Sequence, residues 1–208
     1  MDPNTQAKLS VYIKGLKERL FFEPLSAPLH YNLGLAYAQK GLTEEAISEF
    51  RQSLECDPSL SQAYVNLGGL LFQKGDLDEC IEANEKALSI DPNLPMAQNN
   101  LGFAYLQRND YQNAAKYSGN AIKLMPTLLQ AYNTLAVAYL HLGQFEPSIE
   151  TSLKALEISE DFAPAHYNLV VAFHSSGQID KVREYYKKAT ALGYSFDEEI
   201  RKDMELPA

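Results

Sequence analysis

The sequence predicts an all-α fold made of five consecutive helix pairs, and two observations lead to that prediction. First, prolines recur at intervals of 34 residues, as Pro24, Pro58, Pro92 and Pro126, and a fixed period of this length is typical of stacked structural repeats. Second, the apolar residues within each period lie three and four positions apart, which is the spacing of amphipathic helices. At 208 residues, 46% of them hydrophobic, the chain is long enough to bury a core.

The 34-residue phase divides the chain into five full repeats with a short segment at each end. The repeats, numbered 1 to 5, cover residues 27–60, 61–94, 95–128, 129–162 and 163–196. Positions within a repeat are called columns 1 to 34: column 7 is leucine throughout, and columns 8, 20 and 27 mostly hold small residues. Each repeat is predicted to form helix A and then helix B. The turn between them carries residue types that tolerate a positive φ angle, namely Gly41, Gly75, Asn109, Gly143 and Gly177.

The two end segments are predicted to cap the stack. Residues 1–26 carry an apolar stripe that includes Leu9, Ile13 and Leu16, which indicates an N-terminal capping helix equivalent to a B helix without its A partner. Residues 197–208 are predicted to form a C-terminal capping helix that begins with a capping box of Ser195 and Glu198. The chain is thus expected to consist of repeats and caps alone.

The repeat residues resemble the signature of the tetratricopeptide repeat (TPR) family: Leu-Gly in helix A, an aromatic residue three positions later, alanine in helix B, and a terminal proline. The resemblance covers 170 of the 208 residues in five in-phase copies. It implies a right-handed α-solenoid of antiparallel helix pairs, with the A helices lining a concave face. It also implies that columns 2, 5, 6, 9, 12 and 13 of helix A face that concavity.

The concave columns supply the predicted peptide-binding groove. Column 6 holds Asn32, Asn66, Asn100, Thr134 and Asn168. This row is similar to the asparagine ladder of the O-linked N-acetylglucosamine transferase repeat superhelix, which implies that the amides hold the backbone of an extended peptide. A carboxamide suits that task because it both donates and accepts hydrogen bonds. Column 13 adds further amides, and columns 9 and 12 add apolar side chains, namely Gln39, Gln73, Gln107, Leu35, Phe72, Phe103 and Leu106. The alternative is that column 6 only reflects family descent and that the apolar columns contact neighbouring helices.

Charge narrows the class of partner. A net charge of -9 disfavours nucleic acid, and no segment has the apolar length needed for membrane insertion. Among the 45 charged residues, only Lys40, Lys74 and Arg108 fall in the A segments, each at a helix end. Chaperone-cofactor repeats use groove cations to hold the C-terminal carboxylate of heat-shock chaperones, so we expect a different protein or peptide partner. The absence of a leader pattern and the presence of only two cysteines lead us to expect a cytoplasmic protein.

No catalytic motif is found, whether a glycine-rich phosphate loop, a nucleophile elbow or a zinc-protease signature. His30 and His166, both at column 4, are predicted to pack in the core. His141 and His174 could approach each other from repeats 4 and 5, but no third ligand stands beside them. The sequence therefore predicts no enzyme activity, no cofactor and no metal site.

Three hypotheses about function remain. The first is a non-catalytic scaffold or adaptor that binds an extended or helical segment of a partner in its neutral groove. The second is a self-assembling scaffold whose N-terminal helix docks in a neighbour's groove to form a homo-oligomer, as in the magnetosome scaffold proteins of the TPR family. The third is the substrate-recognition subunit of a separate enzyme such as a glycosyltransferase. Repeat folds host many functions, so these hypotheses must be distinguished by the residues on the surface and not by the fold.

Overall fold

A computed structural model describes residues 3–205, which form twelve α-helices and no strand. The helices are α1 (Pro3–Phe22), α2 (Ala27–Lys40), α3 (Thr43–Cys56), α4 (Ser61–Lys74), α5 (Leu77–Ile90), α6 (Pro95–Gln107), α7 (Tyr111–Leu124), α8 (Leu129–His141), α9 (Phe145–Ile158), α10 (Ala163–Ser175), α11 (Ile179–Ala191) and α12 (Glu198–Glu205). The all-α prediction is confirmed. None of these twelve helices is both long and apolar enough to cross a membrane. Residues 1–2 of the predicted N-terminal cap and 206–208 of the C-terminal cap lie outside the described range.

Short turns join successive helices, and the turn residues have the backbone geometry expected from the sequence. Gly41 ends α2 with a φ of 78°, and Asn109 follows α6 with a φ of 59°. Residues with a larger side chain rarely adopt this left-handed conformation, whereas glycine and asparagine tolerate it. The turn closes when the Leu42 N–H donates to the Tyr37 carbonyl at 2.9 Å. The predicted positive φ is confirmed at all five turns, since it also occurs at Gly75, Gly143 and Gly177.

The helices gather into two compact units that divide between Asn100 and Leu101, inside α6. In the N-terminal unit each helix packs on the next: α1 on α2, α2 on α3, α3 on α4, and α4 on α5. In the C-terminal unit α7 packs on α8, α9 contacts both α8 and α10, and α11 packs on α10. Leucines of column 7, such as Leu33 and Leu169, are buried in the cores of these units.

Close packing of helix A on helix B depends on a pairing of column 8 with column 24. A β-carbon at Gly34 would approach the ring of Phe50 to 2.9 Å, and one at Gly68 would overlap the carboxamide of Asn84. Phe50 and Asn84 are completely buried, so neither side chain can swing into solvent. In repeats 1 and 2, glycine at column 8 is therefore required by the side chain that faces it at column 24.

The two ends of the described chain pack as single helices. Leu9, Ile13 and Leu16 of α1 are buried. At the other end the predicted capping box is wrong: α12 begins at Glu198, and the Ile200 N–H donates to the Asp197 side chain at 3.0 Å. A capping side chain must come immediately before the first helical residue, and Ser195 lies too far upstream.

Candidate partner-binding surface

Column 6 links consecutive A helices in the N-terminal unit. The Asn66 side-chain N–H donates to the Tyr31 hydroxyl at 3.0 Å, and the Asn100 side-chain N–H donates to the Val65 carbonyl at 3.3 Å. In both cases the acceptor belongs to column 5 of the preceding repeat, 35 residues earlier. Asn100 also donates to Asn84 Oδ1 at 3.1 Å, which ties α6 to α5. The asparagine row is thus part of the structure that holds neighbouring repeats together.

Asn32 differs from the other asparagines of the row because no A helix precedes it. The helix before it, α1, is the unpaired B-type helix of the N-terminal cap. Asn32 is half-buried, and within residues 3–205 its carboxamide has no hydrogen-bond partner. Both donors and the acceptor of this side chain therefore remain for another molecule.

In the C-terminal unit column 6 is buried, although the resemblance implied that this column lines the concave face. Thr134 is fully buried and its hydroxyl donates to the Gln130 carbonyl at 3.0 Å in the same helix. Asn168 is 2% exposed and donates to Asn133 Oδ1 at 2.9 Å. The Thr134 hydroxyl is thus used within its own helix, and the Asn168 amide is enclosed where it bonds Asn133 at column 5. Neither side chain is accessible to a peptide.

The remaining predicted groove residues divide between the two units. On α2, Asn32, Leu35 and Gln39 lie three and four positions apart, so they share one side of the helix. Gln39 is exposed and Leu35 is 39% exposed. On α4, Gln73 is exposed and Phe72 is half-buried. Three residues belong to the C-terminal unit, the half-buried Phe103 and Leu106 and the exposed Gln107.

The cations at the ends of the A helices are held by neighbouring groups. Lys74 Nζ lies 3.2 Å from an Asp76 carboxylate oxygen and 3.3 Å from one of Glu44. These bonds, the one to Asp76 foremost, raise the pKa of Lys74, so its amine stays protonated. The two carboxylates offset part of its positive charge. Lys40 Nζ lies 3.5 Å from the Ser10 hydroxyl of α1. Asn32, Leu35 and Gln39 themselves carry no charge.

Column 4 has a role that the sequence reasoning missed. His166 is buried as predicted and His30 is half-buried, yet each makes a polar contact with the turn before its repeat. The partner is the carbonyl six residues earlier, as in His30–Pro24 (3.0 Å), Tyr132–Pro126 (3.1 Å) and His166–Glu160 (2.8 Å). The signal in the sequence was the recurrence of polar-tipped rings at one column. Column 4 therefore anchors the turns between repeats.

His141 and His174 serve separate contacts. The His141 ring stacks on Tyr111 with centroids 4.4 Å apart, and His174 Nε2 lies 2.9 Å from an Asp203 carboxylate oxygen, which fastens α12 to α10. Across residues 3–205, no three His, Cys, Asp or Glu side chains are grouped so that they could hold a metal ion. Burial raises the pKa of the Cys80 thiol to about 11, which suits a structural cysteine rather than a nucleophile.

Helix pairs with small residues at the crossings and polar contacts between repeats define a repeat scaffold. Models described as TPR repeat or tetratricopeptide repeat match residues 27–60, 49–82, 68–109, 97–127, 129–162 and 163–192. These matches cover most of the chain, which therefore belongs to the tetratricopeptide repeat family.

Solved structures share the fold. The chain is 25% identical to the MamA protein, with a TM-score of 0.73 over 88% of this chain and 97% of that one. It is 19% identical to YrrB, described as a TPR protein with an unusual peptide-binding site, with a TM-score of 0.75 over 89% and 94%. PilF of Pseudomonas aeruginosa is 21% identical, with a TM-score of 0.72 over 86% of each chain. The predicted TPR solenoid fold class is confirmed. A search among curated protein sequences finds no match.

Proposed function

We propose that the chain is a non-catalytic interaction scaffold or adaptor that binds a segment of a partner protein along the A-helix side of its N-terminal unit. The observation that carries this proposal is the neutral row of Asn32, Leu35 and Gln39 on α2, which combines a free carboxamide, an exposed amide and an exposed apolar side chain. TPR proteins bind protein partners, and a surface without charge selects for partner segments that are likewise uncharged.

The amides favour an extended segment over a helical one. Backbone groups of a helical peptide are already paired with one another, whereas those of an extended peptide need partners. Asn66 can supply one even though it bonds Tyr31, because a carboxamide has a second N–H and an acceptor oxygen. The bond to Tyr31 also fixes the orientation of the Asn66 amide before the peptide arrives, which lowers the entropy cost of binding.

The test uses a peptide selected from a displayed random library on the purified chain and titrated by calorimetry. Gln73→Ala removes an exposed amide worth one hydrogen bond, about 0.5–1.5 kcal/mol, so we expect affinity to fall by roughly twofold to tenfold. Leu35→Ser removes a partly exposed apolar contact and should weaken binding by a similar factor.

The matched control is Gln112→Ala, which removes an exposed glutamine from the B-type helix α7. Its affinity should equal that of the wild type. The proposal is contradicted if the wild type, Gln73→Ala, Leu35→Ser and Gln112→Ala all bind the peptide with equal affinity, or if only the control loses affinity. Either result would place the peptide elsewhere. Asn66→Ala is a less clean variant, because it also breaks the bond to Tyr31.

Self-assembly is the second candidate, because one observation favours it. The outer side and the end of the N-terminal cap expose Val11, Phe21, Phe22 and Leu25, each between 72% and 83% accessible. Exposed apolar groups such as the neighbouring rings of Phe21 and Phe22 commonly mark interaction sites. A sedimentation-velocity series over a range of protein concentrations should show association that Phe21→Ser and Phe22→Ser reduce. A chain that stays monomeric throughout the series would remove this candidate.

The hypothesis of an enzyme's substrate-recognition subunit has weaker support. It rests on the resemblance of column 6 to an asparagine ladder, and Asn100 and Asn168 use their amides for contacts within the chain. It therefore stays a hypothesis without a specific contact in its favour.

A further inference from the structure

The exposed end of α1 combines aromatic and cationic side chains. The rings of Phe21 and Phe22 meet edge to face with centroids 5.2 Å apart, and both side chains project into solvent. With Lys14, Lys17 and Glu18 they line a shallow cavity of about 360 Å³. The residues of α1 carry a net charge of +3, which leaves -12 on the rest of the chain. This end of the helix, called the aromatic tip below, is suited to an acidic surface with an apolar centre.

A surface of the opposite character lies in the same unit. A cavity of about 550 Å³ between α4 and α5 has the apolar side chains of Leu67 and Leu71 at its base. Its polar lining is mainly acidic and includes Glu79, Glu82, Glu85 and Lys86. We call it the acidic cavity. Glu79 already pairs with Arg51 at 2.5 Å, whereas Glu82 is exposed at the opening.

The aromatic tip can reach such a cavity only from another molecule. Leu9, Ile13 and Leu16 are buried where α1 packs on α2, so moving α1 to α4 and α5 of its own chain would expose them. The loss of three buried apolar side chains would cost about 1.5–3 kcal/mol for each. A second copy of the chain presents the same cavity without this cost.

We propose that the aromatic tip of one molecule docks in the acidic cavity of a second copy. Phe21 or Phe22 then covers the apolar base of the cavity while Lys14 faces Glu82 and its neighbours. This inference rests on the self-assembly candidate and names an acceptor surface for it, which is distinct from the A-helix groove. Because donor and acceptor are different surfaces, the contact is heterologous and repeats from head to tail.

An anionic membrane is the competing occupant for an aromatic and cationic tip. Lys17 lies over the Tyr37 ring at 5.6 Å. Its pKa is raised above the ordinary value, mainly by a hydrogen bond to Tyr37 and to a smaller extent by the carboxylates of Glu49 and Glu45 on α3. An anionic bilayer that approached α1 would therefore meet the acidic α3 as well. A local acidic surface on a protein can approach the end of α1 without meeting α3, so the charge distribution favours a second copy over a broad anionic bilayer.

The first experiment maps the contact by photo-crosslinking. The full chain carries benzoylphenylalanine in place of Phe22, and after irradiation the intermolecular cross-links are located by mass spectrometry. Cross-links are expected on the segments of α4 and α5 that line the acidic cavity. The same probe in place of Ile158, an exposed apolar residue of α9, is the matched control and should give none there. Cross-links to α2 around Asn32 and Gln39 would overturn the assignment in favour of groove docking.

The second experiment exchanges charges across the contact. Lys14 makes only an exposed pair with Glu18 at 3.7 Å, so Lys14→Glu should leave folding intact. Lys14→Glu and Glu82→Lys should each raise the dissociation constant of self-association, by about threefold to fivefold at low salt, and an equimolar mixture of the two variants should regain association through the restored pair.

The outcomes separate the two ideas. A monomeric wild-type chain at all concentrations would overturn both the self-assembly candidate and this contact. Association that the charge exchange does not affect, with cross-links outside α4 and α5, would overturn the acidic cavity alone. Binding to vesicles of phosphatidylserine and phosphatidylcholine that Phe21→Ser abolishes, without any self-association, would assign the aromatic tip to lipid instead.

Discussion

Replacing Gly68 by alanine should destabilise the N-terminal unit, because the new β-carbon would occupy the space of the Asn84 carboxamide. Asn84 is completely buried between α4 and α5. Its side-chain N–H donates to the Cys80 carbonyl at 2.8 Å, and its oxygen accepts from Asn100 at 3.1 Å. The carboxamide cannot turn away from an alanine at position 68 without breaking at least one of these bonds.

The magnitude follows from three contributions. Overpacking a close helix contact costs about 1–3 kcal/mol, and each lost hydrogen bond of Asn84 costs about 0.5–1.5 kcal/mol. Alanine in a helix interior recovers about 1 kcal/mol relative to glycine. We expect Gly68→Ala to lower the free energy of unfolding by about 2 kcal/mol, which corresponds to a fall in Tm of roughly 4–8 °C for a chain of this size.

The assay is urea and thermal unfolding followed by circular dichroism. Gly15→Ala is the matched control, since that position lies inside α1 with no neighbouring atom within 4 Å, and it should raise stability slightly. The double variant Gly68→Ala, Asn84→Ala should lose less unfolding free energy than the two single variants lose together, because removing the carboxamide removes the overlap. If Gly68→Ala stabilises the chain as much as Gly15→Ala does, the packing argument is refuted.

Three further results are expected. The Ser59 hydroxyl and amide both donate to Asp57 and lower its pKa. The contribution of Asp57 to stability is therefore present above pH 3.8 and is lost as the pH falls below that value. Ser59→Ala should raise the pKa of Asp57, as measured by NMR titration of the carboxyl carbon. Tyr132→Phe removes a hydrogen bond of 3.1 Å to the preceding turn and should cost about 1 kcal/mol in urea unfolding, and an unchanged midpoint would remove the anchoring role of column 4. A thiol reagent should modify the half-buried Cys56 well before Cys80 in the folded chain, and equal rates would contradict the burial of Cys80.

The sequence predicted the features that depend on local spacing. The apolar period required helices, and the residue types at Gly41 and Asn109 required a left-handed turn, because both follow from the conformational limits of single residues. The confirmed TPR fold follows from the same repeated pattern, which family models also match.

Features that depend on the separation between helices could not be predicted in this way. The bond from Asn66 to Tyr31 joins residues 35 positions apart, and whether the amide reaches the hydroxyl is decided by how two repeats stack. The same holds for the burial of Asn168 and for the separate contacts of His141 and His174. A column shows which residues occupy equivalent places in a repeat, but it does not show what each of them touches.

The proposed binding surface is tested most directly by following the side-chain NH₂ resonances of Asn32, Gln39 and Gln73 by NMR while the selected peptide is added. The proposal predicts that these three resonances shift and saturate with the same dissociation constant that calorimetry gives, while the NH₂ resonances of Gln112 stay in place. Shifts confined to α1 or to the B-type helices, with those of Asn32, Gln39 and Gln73 unmoved, would contradict it.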